Sequence, residues 1–344
     1  MGRIVMNTKL IKPDDGEKGI AQAAELLRAG ELVAIPTETV YGLAANALDG
    51  KAVEKIFRAK GRPQDNPLIV HISETDEIFP LVENFDDRAR ALARNFWPGP
   101  LTIILPKSPA IPSQVSAGLD TVAVRMPSHP TARAIIKACG FPLAAPSANT
   151  SGKPSPTTAA HVMDDMNGKI AAVVDGGSCS VGVESTVITL AGGTPRILRP
   201  GGVTPEQLRS VLGEVEIDRA VFNALEDGEK VLSPGMKYKH YSPNARVIIV
   251  KGSLEKFADF AAGRPEKTCA VCFDGEEAAI PVVSYPYGHC DSPQEQAREL
   301  FDVLRHVDDE KMELALVRFP SLDGVGIAVY NRLLRAAGFE VVEL

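Results

Sequence analysis

The chain has 344 residues, a net charge of −7 and a hydrophobic content of 44%. This length exceeds most single hydrophobic cores and predicts two domains, and the acidic balance disfavours a general nucleic-acid binder. No segment has the composition of a signal peptide or a membrane span, and the five cysteines are unevenly spaced. We therefore expect a cytoplasmic protein with reduced thiols.

Hydrophobic periodicity predicts alternating helices and strands over residues 1–213, which we interpret as one α/β domain. The predicted helices are 17–29, 52–60, 86–97, 130–139, 158–166 and a last helix that begins at a capping box, 204–207, and ends at Gly213. The predicted strands are 31–35, 68–72, 101–105, 121–125, 143–146, 170–174, 185–190 and 196–198. Asp86 and Thr157 are the expected N-caps of their helices.

Residues 214–245 interrupt this pattern and predict a linker, which is a functional loop or a plain tether. After it, residues 246–344 predict a smaller, Rossmann-like α/β domain of ordinary size. Its predicted strands are 246–250, 268–273 and 314–318, and its predicted helices are 254–262, 293–306 and 326–337, with a capping box at 292–295. This domain carries 11 Lys and Arg against 17 Asp and Glu, so the usable positive charge lies in residues 1–245.

Polar side chains follow the strand 31–35, which Pro36 ends by removing a backbone donor. Two hydroxyls, a carboxylate and a phenol come directly after it, at Thr37, Glu38, Thr39 and Tyr41. The next helix and its exit carry a basic run, at Lys55, Arg58, Lys60 and Arg62. Lys55, Arg58 and Arg62 are three and four residues apart, which predicts one shared side of the helix and its exit for these three. Because open α/β sheets bind ligands at the carboxyl ends of strands, this favours a polyanion such as a nucleoside triphosphate. The alternative is a solvated helix face beside a polar turn.

Two further polar segments lie at strand ends. One spans 147–157 and combines small hydrogen-bonding residues with Gly152 and Lys153, which suits close contact with a ligand but is also common loop composition. The other is Arg199 with the glycines that follow it, opposite the strand start at 184–186. An arginine there predicts a phosphate or carboxylate site, with a surface ion pair as the alternative.

Several familiar motifs are absent from the sequence. Without GxxxxGK[ST] or GxSxG, a P-loop ATPase and a serine hydrolase built on Ser147 are both disfavoured. Cys269 and Cys272 form a CxxC, but residues three apart in a strand point to opposite faces, so we expect no zinc site. His71 lies in an apolar strand, where a ligand-binding role and a buried core histidine are equally open.

The ordered motifs resemble the YrdC-type family. They are PTETVYGL (36–43), KGRP (60–63) with NPL (66–68), PSAN (146–149) with SG (151–152), and STV (185–187). The segment from SPGM (233–236) to HYSP (240–243), together with the C-terminal domain, is similar to the long form of the family, L-threonylcarbamoyladenylate synthase. The resemblance covers essentially the whole chain. It implies a twisted open mixed sheet with a concave basic cavity, and the conversion of L-threonine, bicarbonate and ATP to threonylcarbamoyl-AMP and pyrophosphate.

The resemblance also implies roles for individual residues. Catalysis and phosphate contacts would fall to Lys60 and Arg62, with further ATP contacts from Asn66, Thr121, Ser147, Ser155, Arg199, Tyr238 and Tyr241. L-Threonine would be held by Thr39, His71, Arg125, the backbone of Ala145, and Ser185. Mg²⁺ is expected with ATP and with few protein ligands, because magnesium often keeps its waters. The product would pass to a tRNA threonylcarbamoyl transferase, without stable binding of nucleic acid or membrane by this chain.

Three alternatives remain open at this stage. The linker residues Tyr238 and Tyr241, with two neighbouring lysines, could cover the cavity mouth and exclude water from a labile product. A basic concave surface could instead belong to an RNA-binding module, against which the overall acidity argues. A carbamoyl-adenylate-forming enzyme that uses carbamoyl phosphate is a further alternative, but the acylphosphatase and zinc-finger regions expected of one are absent from this sequence.

Overall fold

The computed structural model describes residues 7–12, 15–224, 233, 240–265 and 267–344. Two units are distinguished by their sheets: an N-terminal unit, residues 7–224, and a C-terminal unit, residues 246–344. The described residues 240–245 connect them.

The N-terminal unit contains eleven strands and seven helices within the described residues. The strands are β1 (Lys9–Ile11), β2 (Val33–Ile35), β3 (Gly42–Asn46), β4 (Ile69–His71), β5 (Leu101–Pro106), β6 (Thr121–Arg125), β7 (Leu143–Ala144), β8 (Ala172–Val174), β9 (Thr186–Thr189), β10 (Arg196–Arg199) and β11 (Glu216–Ile217). The helices are α1 (Gly16–Arg28), α2 (Gly50–Lys60), α3 (Asp87–Phe96), α4 (Ser113–Ser116), α5 (Pro130–Cys139), α6 (Ala159–Met166) and α7 (Pro205–Leu212).

These eleven strands form one mixed sheet in the order β1-β8-β2-β3-β7-β4-β6-β5-β9-β10-β11. Parallel pairs such as β4 with β6 alternate with antiparallel pairs such as β5 with β6. Helices α1 and α5 pack on one face, and α2, α3, α6 and α7 pack on the other. This arrangement confirms the predicted mixed α/β sheet.

The C-terminal unit is a five-stranded sheet with helices on both faces. Its strands are β12 (Arg246–Lys251), β13 (Thr268–Cys272), β14 (Val283–Pro286), β15 (Leu314–Arg318) and β16 (Val341–Glu343), and its helices are α8 (Leu254–Ala261), α9 (Pro293–Asp309) and α10 (Gly326–Ala336). The order is β14-β13-β15-β12-β16, and every pair is parallel. Cys269 and Cys272 face opposite apolar layers of this sheet, as their spacing in a strand predicts.

Two predicted helix caps are wrong. The hydroxyl of Thr158, not that of Thr157, accepts a hydrogen bond from the backbone N–H of His161 at the start of α6. Ser292 precedes α9 without a side-chain cap, because the backbone N–H of Glu295 donates to the Ser292 carbonyl and not to its hydroxyl. The Glu295 carboxylate, which would complete a capping box, pairs with His289 instead. The capping box at the start of α7 is confirmed, with Thr204 and Gln207 bonded reciprocally.

Five short strands were not predicted: β1, β3, β11, β14 and β16. Most of them lie at or next to a sheet edge and are two to four residues long, too short for an alternating pattern to appear. β3 is longer, but its sequence GLAAN is small and apolar and carries no period of two. β11 lies within the predicted linker and pairs with β10 in the larger sheet.

The sheet register gathers several strand ends at one place. β4 and β6 are parallel, with His71 directly opposite Arg125, so both side chains reach the same edge. β2 ends beside them at Ile35, and the chain then enters the polar loop 36–41 before β3 begins. The site therefore follows from register and not from proximity in sequence.

The two units share an apolar interface. Val40 and Val183 from the N-terminal unit, and Tyr241 from the connecting segment, belong to the same buried cluster as the facing sides of α9 and α10. A larger residue at position 182 would not fit this interface, because a Cβ on Gly182 would lie 2.3 Å from the Arg298 Cα atom and 2.4 Å from the Ala297 carbonyl oxygen. Across the described ranges, no helix combines the length and apolarity that a bilayer crossing requires.

Candidate active site

A cavity with about 700 Å³ of empty space, including its open mouth, lies where these strand ends meet. Its lining comes from the loop after β2, the end of α2, the ends of β4, β6 and β10, the segment after β7, the start of β9 and the connecting segment. The lining residues are Thr37, Thr39, Val40, Gly42, Lys60, Arg62, Ile69, His71, Arg125, Ala145, Pro146, Ser147, Asn149, Ser151, Gly152, Glu184, Ser185, Arg199, His240 and Tyr241. Four cationic side chains and one carboxylate are among them, so the cavity suits an anion.

One end of the cavity is organised around Arg125, which is buried. Its guanidinium donates to the Thr39 hydroxyl at 2.8 Å and to the Gly99 carbonyl at 3.2 Å, and it pairs with a Glu38 carboxylate oxygen at 2.6 Å. The arginine keeps the pKa of Glu38 below its ordinary value despite burial, so the pair is ionised. A guanidinium has five N–H groups, so donors remain on Arg125 for a substrate carboxylate.

His71 lies next to Arg125 at this end and is 4% exposed. Burial, with the charge of Arg125, lowers its pKa to about 3. Its Nδ1 lies 3.2 Å from the Ile69 carbonyl, which can only accept, so the neutral ring carries its proton on Nδ1. The ring therefore lines the cavity uncharged at neutral pH.

Lys60 holds the loop after β7. Its Nζ lies 2.5 Å from the Ser147 carbonyl, 2.6 Å from the Asn149 carbonyl and 3.4 Å from the Asn149 side-chain oxygen. Burial lowers the pKa of Lys60 well below its usual value, yet three acceptors match the three N–H groups of an ammonium. Lys60 lies on the buried face of α2 with Ile56 and Phe57, which explains how a helical lysine reaches this loop.

Arg62 and Arg199 line the other end of the cavity. Arg62 donates only a long bond, 3.4 Å to the Pro67 carbonyl, and its buried Nε has no partner among the described residues. Arg199 donates to the carbonyl and the hydroxyl of Ser185 at 3.1 and 3.2 Å. Burial lowers the pKa of both arginines, that of Arg62 to about 10, so both are charged at neutral pH.

Among the described residues, Glu184 supplies the carboxylate that lines the cavity. One of its oxygens accepts from the Ser155 hydroxyl at 2.5 Å, and the other accepts from Arg332 of α10 at 2.7 Å. The charges of Arg332 and Arg199 outweigh its burial and lower its pKa, so it is ionised. Arg332 thus connects the C-terminal unit to the cavity wall.

The structure brings together ten of the residues predicted for the site: Thr39, Lys60, Arg62, His71, Arg125, Ala145, Ser147, Ser185, Arg199 and Tyr241. Asn66 and Ser155 are buried behind the lining, where Ser155 contacts Glu184. Thr121 begins β6, four residues before Arg125 and roughly 13 Å away along the strand, and does not line the cavity. Tyr238 and its neighbours Lys237 and Lys239 lie outside the described residues.

The predicted basic face of α2 is divided. Lys60 and Arg62 line the cavity, whereas Lys55 and Arg58 line a separate open groove with Lys169. Of the three residues predicted to share a side, Lys55 and Arg58 do so and Arg62 does not, because α2 ends at Lys60 and Gly61, with a φ of 62°, turns the chain before Arg62. Here the apolar face with Val53 and Ile56 turns Lys60 inward and leaves Lys55 outside.

Sequence reasoning assigned no role to Glu184 or to Arg332. Glu184 was noted beside Ser185, but a lone carboxylate before a strand carries no functional signal. Arg332 had a usable signal, because it interrupts the apolar face of α10 within the sequence GIAVYNRLLRA. A charged residue on such a face is buried only when it is paired, and the partner lies 148 positions away in the chain.

Comparisons with known proteins cover nearly the whole chain. A family profile named Sua5_yciO_yrdC and described as "Telomere recombination" matches residues 25–201, and one described as "Threonylcarbamoyl-AMP synthase, C-terminal domain" matches residues 203–338. The threonylcarbamoyl-AMP synthase of Pyrococcus abyssi is 46% identical over 94% of this chain and 95% of its own length. That of Bacillus subtilis is 47% identical over 94% of each. A crystal structure of P. abyssi Sua5 complexed with L-threonine has a TM-score of 0.90 and 43% identity, covering 98% of this chain and 99% of that one.

Proposed function

The chain belongs to the threonylcarbamoyl-AMP synthase family, and we propose that its cavity is the site that aligns L-threonine and ATP for the reaction. Enzymes of this family transfer an adenylyl group from ATP and supply the first step of threonylcarbamoyladenosine synthesis in tRNA, and this chain does the same. The proposal concerns the residues that bind each substrate, the source of the carbamate and the fate of the product.

The observation that carries the proposal is the separation of cations within one cavity. Arg125 on β6 lies beside a neutral histidine and a threonine hydroxyl. Arg199 on β10 lies three strands away across the sheet in continuous register, so roughly 14 Å separates the Cα positions of Arg125 and Arg199. Arg62 lies near Arg199, whose charge adds to burial in lowering the pKa of Arg62. An amino acid presents one carboxylate, and a triphosphate presents several anionic groups. The two ends therefore match the two substrates in the number of cations each provides.

At the first end, Arg125 binds the threonine carboxylate with the N–H groups that Thr39 and Gly99 leave available. Thr39 and His71 contact the rest of the amino acid, and the Ala145 backbone with Ser185 holds the carbamate. The carbamate forms when the threonine amine adds to CO₂ derived from bicarbonate and loses a proton. Glu38 keeps Arg125 in place before the substrate arrives.

At the second end, a carbamate oxygen attacks the α-phosphorus of ATP, and the bond between that phosphorus and the pyrophosphate oxygen breaks. Charge builds up on the departing pyrophosphate, so fixed cations around it stabilise the transition state. Arg62 and Arg199 supply that charge, and Lys60 orders the 147–149 loop so that Ser147 contacts the nucleotide. Asn66, Thr121 and Ser155 keep their predicted nucleotide roles as part of the proposal.

We include Mg²⁺ in the proposal as a companion of ATP that offsets phosphate charge. Both oxygens of the Glu184 carboxylate already accept hydrogen bonds, so Glu184 is not needed as a ligand of the ion. The ion would then be held mainly by phosphate oxygens and water. The adenylate passes to a tRNA threonylcarbamoyl transferase, because an acyl phosphate of this kind needs an acceptor nucleophile. A cytoplasmic address, consistent with free cysteines at all five positions, belongs to the same proposal.

The experiment that tests the proposal measures pyrophosphate release and threonylcarbamoyl-AMP in one reaction. The full chain with ATP and bicarbonate should release pyrophosphate only when L-threonine is added, in step with adenylate. Pyrophosphate release with carbamoyl phosphate in place of L-threonine would point to the carbamoyl-adenylate-forming enzyme instead. Retention of tRNA without any nucleotide turnover would point to the RNA-binding alternative.

A further inference from the structure

We propose that Arg332, from helix α10 of the C-terminal unit, is a positioning residue for the nucleotide end of the cavity. It acts through Glu184, so the N-terminal unit does not complete its own ATP site. This inference rests on the proposed placement of ATP beside Arg62 and Arg199.

Arg332 enters the N-terminal unit as a fully buried side chain, 0% exposed. Its Nε donates to the Glu184 carboxylate at 2.7 Å, and one terminal nitrogen donates to the Glu184 carbonyl at 3.2 Å. The other terminal nitrogen donates to the Asn331 side chain at 2.8 Å, and the guanidinium lies 5.6 Å from the Tyr241 ring centre. Both the side chain and the backbone of Glu184 are therefore fixed by one residue of the other unit.

Glu184 transmits this constraint to the cavity wall in two ways. Its second oxygen accepts from Ser155 at 2.5 Å, a residue predicted to contact ATP. Its backbone leads directly to Ser185, which accepts two hydrogen bonds from Arg199. The position of the Arg199 guanidinium thus depends on a short run of backbone that Arg332 holds.

The chain is packed closely enough for a displacement of Glu184 to reach Arg199. A Cβ on Gly201 would lie 2.4 Å from the Glu184 carbonyl oxygen, the same atom to which Arg332 donates. The segment that follows Arg199 therefore runs against Glu184 with no spare room at Gly201. Movement of one segment requires movement of the other, because close-packed interiors do not absorb such shifts.

Charge gives Arg332 a second effect. Glu184 is the carboxylate that faces Lys60, Arg62 and Arg199 across the cavity, and its ionised form depends on Arg332 and Arg199 together. An arginine fork can hold a carboxylate and a carbonyl at once, which a lysine ammonium on a flexible stem does less well. The geometry of the fork therefore matters as well as its charge.

The carboxylate-binding part of the threonine end lacks this dependence, whereas Ser185, proposed to hold the carbamate, follows Glu184 directly. Arg125 is held by Thr39, Gly99 and Glu38, all of which belong to the N-terminal unit. Loss of Arg332 should therefore affect the two substrates differently. The KM for ATP should rise, while the affinity for free L-threonine should stay near that of the wild type. A purely structural role would weaken both.

The test compares Arg332→Gln with Arg335→Gln in the full chain. Arg335 is a matched control, since it is also buried on α10 and also crosses to the N-terminal unit, where it donates to the Ala220 carbonyl at 2.6 Å. For Arg332→Gln we expect the KM for ATP to rise about 10- to 100-fold, the change produced by losing a charged hydrogen bond. The Kd for L-threonine, measured by calorimetry, should change less than about twofold, and Arg332→Lys should recover part of the ATP affinity.

Several results would overturn the proposal. The first is an ATP KM that stays unchanged in Arg332→Gln while the wild type is active. The second is an equal change in the affinities for ATP and L-threonine. The third is a rise in the ATP KM of Arg335→Gln equal to that of Arg332→Gln.

If Arg332→Gln does not fold, the pair Arg332→Met with Glu184→Met replaces the buried charges together, which commonly restores stability. If the double variant is as stable as the wild type but binds ATP weakly, the result supports a positioning role for Arg332. If the double variant binds ATP as tightly as the wild type, the result contradicts that role. Equilibrium binding of ATP to these variants tests the role of Arg332 even if the wild type shows no threonine-dependent turnover. Failure of this inference can therefore be distinguished from failure of the proposed function.

Discussion

The two ends of the cavity differ in how their cations are satisfied. Arg125 has three partners from its own unit and sits beside a neutral histidine, so its position is set before any ligand arrives. Arg62 makes one long hydrogen bond and keeps a buried Nε without a described partner. The carboxylate that faces Arg62 and Arg199 across the cavity is held from the C-terminal unit.

This difference suggests how the work is divided. The amino acid end is pre-organised, which lowers the entropy lost when a small ligand binds. In the proposed assignment, the end that carries Arg62 and Arg199 binds the polyanionic nucleotide, and its geometry is proposed to depend on docking of the second unit. Substitutions at each end should therefore affect different ligands and to different extents.

The largest effect is expected at Arg62, which makes one long hydrogen bond and whose buried Nε has no partner among the described residues. Arg62→Gln should lower kcat/KM by roughly 100- to 1,000-fold, because a cation aimed at developing charge is lost. The measurement is pyrophosphate release at varied ATP. Arg58→Gln is the control, since Arg58 lies in the last turn of the helix that precedes Arg62 but faces the outer groove. Similar losses in both variants would contradict a specific role for Arg62.

A smaller and more selective effect is expected at Arg125. Arg125→Lys keeps the charge but loses the fork, so the KM for L-threonine should rise about 10- to 100-fold while the KM for ATP changes little. Steady-state kinetics with each substrate varied in turn would measure this. Arg133→Lys, in α5 and outside the cavity, serves as the control. A larger change in the ATP KM would reverse the assignment of the two ends.

The interface between units is tested at Gly182. Gly182→Ala places a methyl group against α9 at a φ of 81°, so we expect a loss of about 2–4 kcal/mol in unfolding free energy together with weaker ATP binding. Gly140→Ala has a similar φ, 78°, in the left-handed region and nothing within 4 Å, so it should cost about 1 kcal/mol. Equal losses measured by chemical denaturation would show that the contact with α9 is unimportant.

The smallest effect is a pH dependence that comes from His71. Its pKa is about 3 in the folded protein and near the ordinary 6.5 when unfolded, so its contribution is intact above pH 6.5 and is lost as the pH falls toward 3. Between pH 7 and pH 5 the wild type should lose roughly 2 kcal/mol more unfolding free energy than His71→Asn. Denaturation at both pH values checks this. Identical losses in the two proteins would mean that His71 is not buried as a neutral ring.

Much of the fold could be predicted from the sequence because its patterns are long and capped. Asp86 and Thr204 marked the starts of α3 and α7, and both caps are present. Polar residues after β2 and β7 pointed to the cavity because strand ends in such sheets gather ligand sites. Ten of the predicted site residues do line the cavity.

The rest depends on contacts between distant segments. Which of two adjacent threonines caps α6 is decided by local backbone geometry, and Thr158 is the one in place. The pairing of Glu184 with Arg332 joins residues 148 positions apart, and their separate sequence contexts do not announce it. The contact between the second unit and the cavity wall therefore became visible only in three dimensions.

The most direct test of the two-ended cavity is equilibrium binding of both ligands to both arginine variants. L-Threonine and a non-hydrolysable ATP analogue would each be titrated into wild type, Arg62→Gln and Arg125→Lys by calorimetry. The account predicts that Arg62→Gln loses the nucleotide and keeps L-threonine, and that Arg125→Lys does the reverse. Loss of the same ligand in both variants, or of both ligands in each, would contradict it.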